Sequence, residues 1–168
     1  MDALECLHTR RSIRKYTDKN VSDDLIKQLL EAAMTAPSAG NSQPWHFVVI
    51  RDRKILDTIS TTHEYSKMCK EVNCAILVCG DMKLNYKDFW VQDCSAATMN
   101  ILYAVHALGL GAVWCGVYPV EKKIEDFKKF FKLPEDIIPL SLIPIGYPAQ
   151  KSGRVERYKE ERVHKEIW

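Results

Sequence analysis

The chain has 168 residues, of which 46% are hydrophobic and 27% are charged, ordinary values for one globular domain. Lys and Arg total 24 and Asp and Glu total 22; the net charge of +2 is too small to indicate a nucleic-acid-binding or polybasic membrane-binding protein. No apolar run approaches the roughly 20 residues of a membrane span, and the N-terminus lacks the pattern of a signal peptide. We therefore expect one cytoplasmic domain over residues 1–168, with no nucleic-acid or membrane partner.

Helix and strand signals follow one another in the first half of the chain. Asp2 is a candidate N-cap for a helix that ends near Thr9, and Ser22 is a candidate N-cap for a second helix. Strands are predicted at 47–50 and 74–79, and a helical segment through 55–59 lies between them. Ala3, Leu4 and Leu7 form the apolar stripe of the first helix.

The second half continues with the longest helix, over about 90–108, whose small residues suit close packing in the middle of the molecule. A strand over 112–117 and an amphipathic helix over 120–131 follow. The last strand is predicted at 140–145, and its prolines confine it to an edge or an end of the sheet. The sequence therefore predicts an α+β fold: a central mixed or antiparallel sheet of four to five strands packed by helices.

The C-terminal segment from Gln150 onward is mostly charged but ends in the apolar residues Val163, Ile167 and Trp168. A polar tail with an apolar tip rarely packs on its own domain alone. It is expected to lie across a partner subunit, and a simple surface tail is the alternative.

The six cysteines are too few for a disulfide scaffold, and no Cys-x-x-Cys pair is present. Cys74 and Cys79 bracket an apolar run typical of a buried strand, where cysteine behaves as a small hydrophobe. None of the five His residues supplies clustered ligands at metal-site spacing. We expect buried, reduced thiols, a reducing compartment and no metal site.

Several common catalytic motifs are missing from the sequence. Gly109-Leu110-Gly111 follows a helix and precedes a strand, the reverse of the order in which a dinucleotide fingerprint meets phosphate. The sequence contains no Walker loop, nucleophile-elbow serine or His-Glu-x-x-His motif. Hydrolases and phosphoryl-transfer enzymes are therefore disfavoured.

Three segments carry side chains suited to an anionic, flat ligand. Residues 10–14 place three guanidiniums and a hydroxyl together, a pattern that fits phosphate oxygens but is equally typical of a helix C-terminus. Residues 37–45 form a connection longer than the usual roughly 4–6 residues, in which Asn41 and Gln43 can read ring nitrogens and oxygens; an ordinary Pro/Gly/Asn turn is the alternative. Residues 109–116 offer backbone amides beside small side chains, although such glycines more often mark a turn.

Together these segments resemble one family, the FMN-dependent nitroreductase-like flavoproteins. The family pattern reads Arg-x-Ser-x-Arg/Lys, then Pro-Ser-x-x-Asn-x-Gln-Pro-Trp, then an Ala-rich helix leading to Gly-Leu-Gly, and Gly-Tyr-Pro near the end. Here these motifs stand at 10–14, 37–45, 93–111 and 146–148. Four motifs in the right order at the right spacing, in a match from about Leu7 to Trp168, identify the chain as a member.

The resemblance implies a nitroreductase-like fold and a homodimer with FMN in two symmetric clefts at the subunit interface. Phosphate and ribityl contacts would come from Arg10, Arg11 and Ser12. The other subunit would line the ring with Pro37, Ser38, Ala39, Asn41 and Gln43. Backbone contacts near flavin N5 would come from Trp114, Cys115 and Gly116. Arg14 would lie near N1 and O2, where a cation stabilises the charge that two-electron reduction leaves.

The family also completes its phosphate site with a basic pair near the C-terminus. Here only Arg157 matches cleanly, and Lys151 or Arg154 would have to supply the second charge. This departure leaves the C-terminal phosphate contact open.

The reaction implied is a ping-pong transfer of electrons from NADH or NADPH, through FMN, to a flat acceptor such as a nitroaromatic or a quinone. This reaction needs no side-chain nucleophile or general base, because the flavin carries the chemistry, and the sequence indicates neither. The alternatives are a flavin-binding carrier or sensor with little turnover, and a relative that acts on the flavin itself or on halogenated aromatics. Five more residues lie in regions that could border the substrate face: His63, Tyr65, Met68, Phe89 and Trp90. The equal alternative is that they form a surface loop and core aromatics.

Overall fold

The computed structural model describes residues 1–151 and 153–168. Its helices are α1 (Ala3–Thr9), α2 (Asp23–Met34), α3 (Arg53–Thr62), α4 (Trp90–Ala107) and α5 (Glu121–Phe131). Its strands are β1 (Trp45–Ile50), β2 (Cys74–Asp81), β3 (Gly111–Ala112), β4 (Cys115–Gly116) and β5 (Ile137–Gly146). Short 3₁₀ turns occupy Ala39–Asn41, Lys67–Lys70 and Glu160–Arg162. The predicted α+β class is confirmed.

The first three helices begin at side chains that accept hydrogen bonds from the free N–H groups of the first turn. The carboxylate of Asp2 accepts from the backbone N–H of Leu4 at 2.9 Å. The Ser22 hydroxyl does the same for α2 at 3.3 Å, and Asp52 caps α3 at 3.0 Å. The caps predicted at Asp2 and Ser22 are confirmed.

The sheet is antiparallel, in the order β1-β2-β5-β3, and β4 pairs with β5 beside β3. The prediction that β5 forms an edge or an end is therefore wrong, because β5 has neighbours on both sides. Its prolines fit because each falls at an interruption of a ladder. Pro139 lies opposite Cys79, where the register with β2 shifts after Val78. Pro144 lies between the residues that pair with β3 and those that pair with β4.

The strand predicted over 112–117 is divided into the two short strands β3 and β4. Val113 and Trp114 separate them and pack on different sides of the sheet: Val113 belongs to one hydrophobic core, and Trp114 packs against the other. The two strands keep one register with β5, and the interruption lies opposite Ile143 and Pro144, where Pro144 has no N–H to donate to a ladder. The second strand, Cys115–Gly116, contacts the segment that follows α3.

Two hydrophobic cores lie on opposite faces of the sheet, and β2 contributes to both because its side chains alternate. Ile76 and Val78 face the core formed with α2 and α4, whereas Leu77 and Cys79 face the core formed with α3 and α5. The predicted central helix is confirmed, since α4 carries eight buried residues.

Two apolar segments stay outside these cores. The buried residue of α1 is Cys6, and the predicted stripe is exposed, with Leu4 at 65% and Leu7 at 48%. The stripe is exposed because α4 meets the other side of α1, where the Cys6 thiol donates to the Tyr103 carbonyl oxygen. The C-terminal tail is exposed through its end, and Trp168 is 98% exposed.

All six cysteines are buried and unpaired, as predicted. Burial raises the pKa of the Cys69, Cys79 and Cys94 thiols to about 12, so these groups stay protonated at neutral pH. No helix among the described residues is long and apolar enough to cross a bilayer.

Candidate functional site

The arginine-rich segment 10–14 leaves the end of α1 and runs as an extended strip beside β3. The amide of Ile13 donates to the Ala112 carbonyl at 2.9 Å, and Ser12 forms a parallel bridge with Ala112. Arg10 borders a small void that Arg11 also borders, whereas Arg14 is exposed. Ile13 faces the core against Gly111, where a Cβ would lie 2.8 Å from its side chain.

Arg11 is on the inward side of this strip. Its Nη2 atom is buried without a hydrogen-bond partner among the described residues, and its Nη1 donates to the Arg10 carbonyl at 3.2 Å. The void beside it measures about 10 Å³ and is bordered by His106 and Leu110. That volume suits about one water molecule.

Four of the predicted site residues meet at one open cavity of about 580 Å³. Arg14 borders it from the strip, and Trp114, Cys115 and Gly116 border it from β4 and the residue before it. Gly116 is exposed, and a Cβ added there would meet only a carbonyl oxygen at 3.9 Å. A flat ligand can therefore approach this backbone closely.

The opposite wall of this cavity is the segment between α3 and β2. Tyr65 and Met68, both singled out in the sequence, border the cavity; Phe89 and Trp90 do not. Sequence reasoning missed the charges on this wall. Three cations (Arg14, Lys67, Lys70) and two carboxylates (Glu64, Glu71) border the cavity, which leaves an excess of one positive charge.

The second predicted segment, 37–43, is a compact turn at the N-terminal end of α4. Gly40, Asn41 and Gln43 have positive φ angles of 58°, 55° and 48°, which favours Gly and Asn. The Gln43 side-chain amide donates to the Asn41 side-chain oxygen at 2.8 Å. The Gln43 backbone N–H donates to the Ser38 hydroxyl at 3.0 Å, and Pro37 is exposed at the start of the turn.

Asp93, which sequence reasoning did not single out as a site residue, anchors this turn. It is 5% exposed on the first turn of α4. Its carboxylate accepts from the Ala39 backbone N–H at 3.0 Å and lies 3.5 Å from the Ser42 hydroxyl. The signal available in the sequence was an acid in the first turn of an otherwise apolar helix.

The turn and the arginine strip lie at opposite ends of α4. Thr9, just before Arg10, hydrogen-bonds to His106 at 2.8 Å, whereas the turn is held by Asp93. Thirteen residues separate these two positions, which corresponds to about 20 Å along the helix axis. None of the residues that line the cavity comes from 37–43.

The C-terminal segment is attached to the domain at its beginning. The Gln150 side-chain oxygen accepts from the backbone N–H groups of Arg14 and Lys15 at 3.0 and 3.1 Å, a contact that sequence reasoning missed. Arg154 pairs with Glu156 at 2.7 Å, and Arg157 lies exposed in the tail.

A second open cavity, of about 500 Å³, lies between α1, α2 and α4. It is largely apolar and includes the exposed Leu7 together with Tyr103 and Ala104 of α4. Ala3 and Leu7 of the predicted α1 stripe line this cavity.

The sequence and the fold are similar to those of known proteins. The profile of the "Nitroreductase family" matches residues 7–88 and 81–147. A protein of Methanothermobacter thermautotrophicus named "Putative NADH dehydrogenase/NAD(P)H nitroreductase" is 50% identical over 169 residues, which span 100% of this chain and 88% of the relative.

Solved structures give the same result. A Parabacteroides distasonis protein with the same name superimposes with a TM-score of 0.95 at 42% identity, over 98% of each chain. A Desulfovibrio desulfuricans protein solved in complex with FMN has a TM-score of 0.85 at 33% identity, over 100% of this chain and 99% of that one. The chain belongs to the nitroreductase family, and the predicted nitroreductase-like fold is confirmed.

Proposed function

We propose that this chain is an FMN-dependent oxidoreductase that takes electrons from NADH or NADPH and passes them, by a ping-pong mechanism, to a flat acceptor such as a nitroaromatic or a quinone. The observation that carries the proposal is the cavity in which Arg14 meets Trp114, Cys115 and Gly116. The NAD(P)H nitroreductase name of the 50% identical relative and the FMN bound by the 33% identical one support it.

The residues at the cavity fit FMN. The excess positive charge suits an anionic cofactor, and the open backbone at Gly116 leaves room for a flat ring. Arg14 is exposed at the cavity and forms no salt bridge among the residues that the structure describes, so its charge is available to a ligand. We propose the following contacts within one subunit: Arg10, Arg11, Ser12, Arg14, Trp114, Cys115 and Gly116.

When bound, FMN supplies the two-electron chemistry between the nicotinamide donor and the acceptor. The chain binds and orients the reactants. Arg14 stabilises the negative charge that reduction leaves in the ring, and the β4 backbone forms one wall for the flat reactants. Tyr65 and Met68 form the opposite wall.

The complete site requires a second copy of the chain. A two-fold axis across α4 would bring the N-terminal end of one α4, with residues 37–43, beside the C-terminal end of its partner. The exposed surface between α1, α2 and α4 is suited to such contact, since its α1 face is apolar. We propose a homodimer in which Pro37, Ser38, Ala39, Asn41 and Gln43 complete the partner's site.

The C-terminal tail is proposed to lie across the partner subunit. Val163, Ile167 and Trp168 are all exposed, and an apolar tip of this kind is stabilised when a partner subunit covers it. Arg157 would then reach the phosphate of the partner's site. We further propose that residues 1–168 form a single domain and that the protein is cytoplasmic, for which the six unpaired thiols are the support.

The test is an absorption spectrum of the desalted protein before and after NADH is added under nitrogen. Bound flavin that bleaches with NADH or NADPH is the expected result. Flavin that persists with both donors would favour a carrier or sensor, and a colourless chain that cannot be reconstituted with FMN would refute the site. Product analysis would reveal a reaction on the flavin itself or on a halogenated aromatic.

Two variants separate the proposed roles of the arginines. Arg10→Ala is expected mainly to weaken FMN retention, and Arg14→Ala to make flavin reduction less favourable. Equilibrium FMN titration and a redox titration measure the two effects. Equal FMN affinity and an equal reduction potential in both variants would contradict these roles.

A further inference from the structure

His63 lies between two cavities of the molecule. It follows α3 and is 3% exposed. On one side it borders a cavity of about 530 Å³ between α3 and α5, with its ring edge-on to Phe127 at 5.7 Å between centroids. On the other side it bonds to both walls of the proposed flavin cavity, which it does not itself border.

The two hydrogen bonds of the His63 ring define its tautomer. The Nε2 atom lies 3.1 Å from the Gly116 carbonyl oxygen, and the Nδ1 atom lies 3.2 Å from the Tyr65 backbone nitrogen. A carbonyl only accepts and a backbone N–H only donates. Neutral His63 with its proton on Nε2 satisfies both partners, and the other neutral tautomer satisfies neither.

A third contact closes this network. The Cys115 thiol donates to the Tyr65 carbonyl oxygen at 3.1 Å; burial raises the pKa of Cys115 to about 11, so the thiol keeps its proton at neutral pH. The N–H and the carbonyl of Tyr65 are therefore both tied to β4, directly or through His63. These contacts fix the distance between the Tyr65 wall and the Gly116 wall of the cavity.

The surroundings of His63 keep it neutral at pH 7. Burial is the largest effect and lowers the pKa of His63 below its ordinary value; the Lys123 ammonium of α5 also lowers the pKa, whereas the hydrogen bond to the Gly116 carbonyl and the charge of Glu64 raise it. Asp126 and Lys129 of α5 border the same cavity. When His63 is protonated, Nδ1 carries a hydrogen that faces the Tyr65 N–H, and that hydrogen bond cannot form.

We propose that His63 is a positioning residue for the flavin cavity, which holds the Tyr65 wall against β4 in its neutral form and releases it when protonated. The inference rests on the proposed function, because the cavity that His63 controls is the proposed flavin cavity. His63 itself lies outside the flavin contacts. The inference goes further in naming a titratable side chain that controls the width of the space where donor and acceptor bind.

The first test uses the chain without flavin. Nitrogen-15 NMR of the His side chains is expected to show His63 as the Nε2–H tautomer, still neutral at pH 6.5. Amide hydrogen exchange at Tyr65 is expected to rise about 2- to 10-fold in His63→Gln, the factor that one net hydrogen bond represents, because this side chain has no acceptor at the position of Nδ1. The Nδ1–H tautomer, or unchanged exchange at Tyr65, would overturn the inference.

The second test uses the FMN-loaded protein, with His63→Gln and His63→Asn as a pair. Glutamine can keep the donor to Gly116, and asparagine can keep the acceptor for Tyr65; neither side chain titrates. The wild-type kcat/KM for NADH is expected to fall about 2- to 10-fold as His63 is protonated below pH 6.5, through KM more than kcat, and this step is expected to disappear in both variants. His46→Gln, an exposed histidine on β1, is the control that should keep it.

Identical pH profiles in the wild type and both His63 variants would overturn the inference and leave the proposed function intact. A wild-type chain that binds no FMN would overturn the proposed function and the effect on turnover. The apoprotein measurements then decide separately whether His63 holds Tyr65.

Discussion

Asp93→Ala is expected to loosen the turn at 37–43 and to weaken FMN binding at the partner's site. The Asp93 carboxylate is 5% exposed and accepts from the Ala39 N–H at 3.0 Å. A hydrogen bond to a charged group contributes about 1.5–3 kcal/mol, and the Ser42 hydroxyl at 3.5 Å adds little at that length. We therefore expect the free energy of unfolding to fall by about 2–3 kcal/mol.

The same energy sets an upper limit on the change in FMN affinity. If the turn must be formed before FMN binds, 2 kcal/mol of local destabilisation raises the dissociation constant by up to about 30-fold. Asp93→Asn retains an acceptor oxygen for Ala39 without the charge, so both effects should be about half as large.

Urea unfolding of the apoprotein and fluorescence titration with FMN measure the two quantities. Gln92→Ala is the matched control, since Gln92 is the exposed neighbour on the same helix, and it should change stability by less than about 0.5 kcal/mol. If Asp93→Ala unfolds at the same urea concentration as this control, the anchoring role of Asp93 is refuted. A loss of stability with unchanged FMN affinity would refute only the proposal that the turn contributes to the partner's FMN site.

Three further predictions concern the packing, the thiols and the tail. Gly111→Ala should lower the free energy of unfolding by about 1–3 kcal/mol, because its Cβ would lie 2.8 Å from Ile13 in a packed core; an unchanged denaturation midpoint would contradict this contact. Raising the pH from 8 to 10 under reducing conditions should destabilise the fold, since five buried thiols with pKa values of about 11 or 12 stay neutral in the folded chain but ionise above pH 9 in the unfolded one. The cost is about 1.4 kcal/mol per thiol at pH 10, and urea titrations with equal midpoints at the two pH values would rule it out. Deleting residues 155–168 should leave the circular dichroism spectrum unchanged and shift the protein toward monomer in sedimentation, and a truncated chain that remains as dimeric as the full chain would exclude the proposed role of the tail.

The sequence was sufficient where a local interaction decides the structure. The caps at Asp2 and Ser22 were predictable because each side chain binds an N–H group only two or three residues away. The uninterrupted apolar run of β2 predicted a strand buried on both faces, and the spacing of small residues in α4 predicted a helix at the centre. The family resemblance identified the segments 10–14, 37–45 and 109–116 for the same reason, since each motif is contiguous.

Tertiary structure decided whatever depends on residues far apart in the chain. The prolines of β5 exclude a central position only if its ladders are unbroken. The ladders are in fact interrupted, at the register shift in β2 and between β3 and β4, and the prolines lie at these interruptions. Asp93 and His63 have no distinctive neighbours in sequence; their partners, Ala39 and Gly116, are 54 and 53 residues away. The motifs named the residues of a candidate site, but only the folded chain shows that Arg14 and residues 114–116 line one cavity to which residues 37–43 do not contribute within one chain, because that division depends on how distant segments pack.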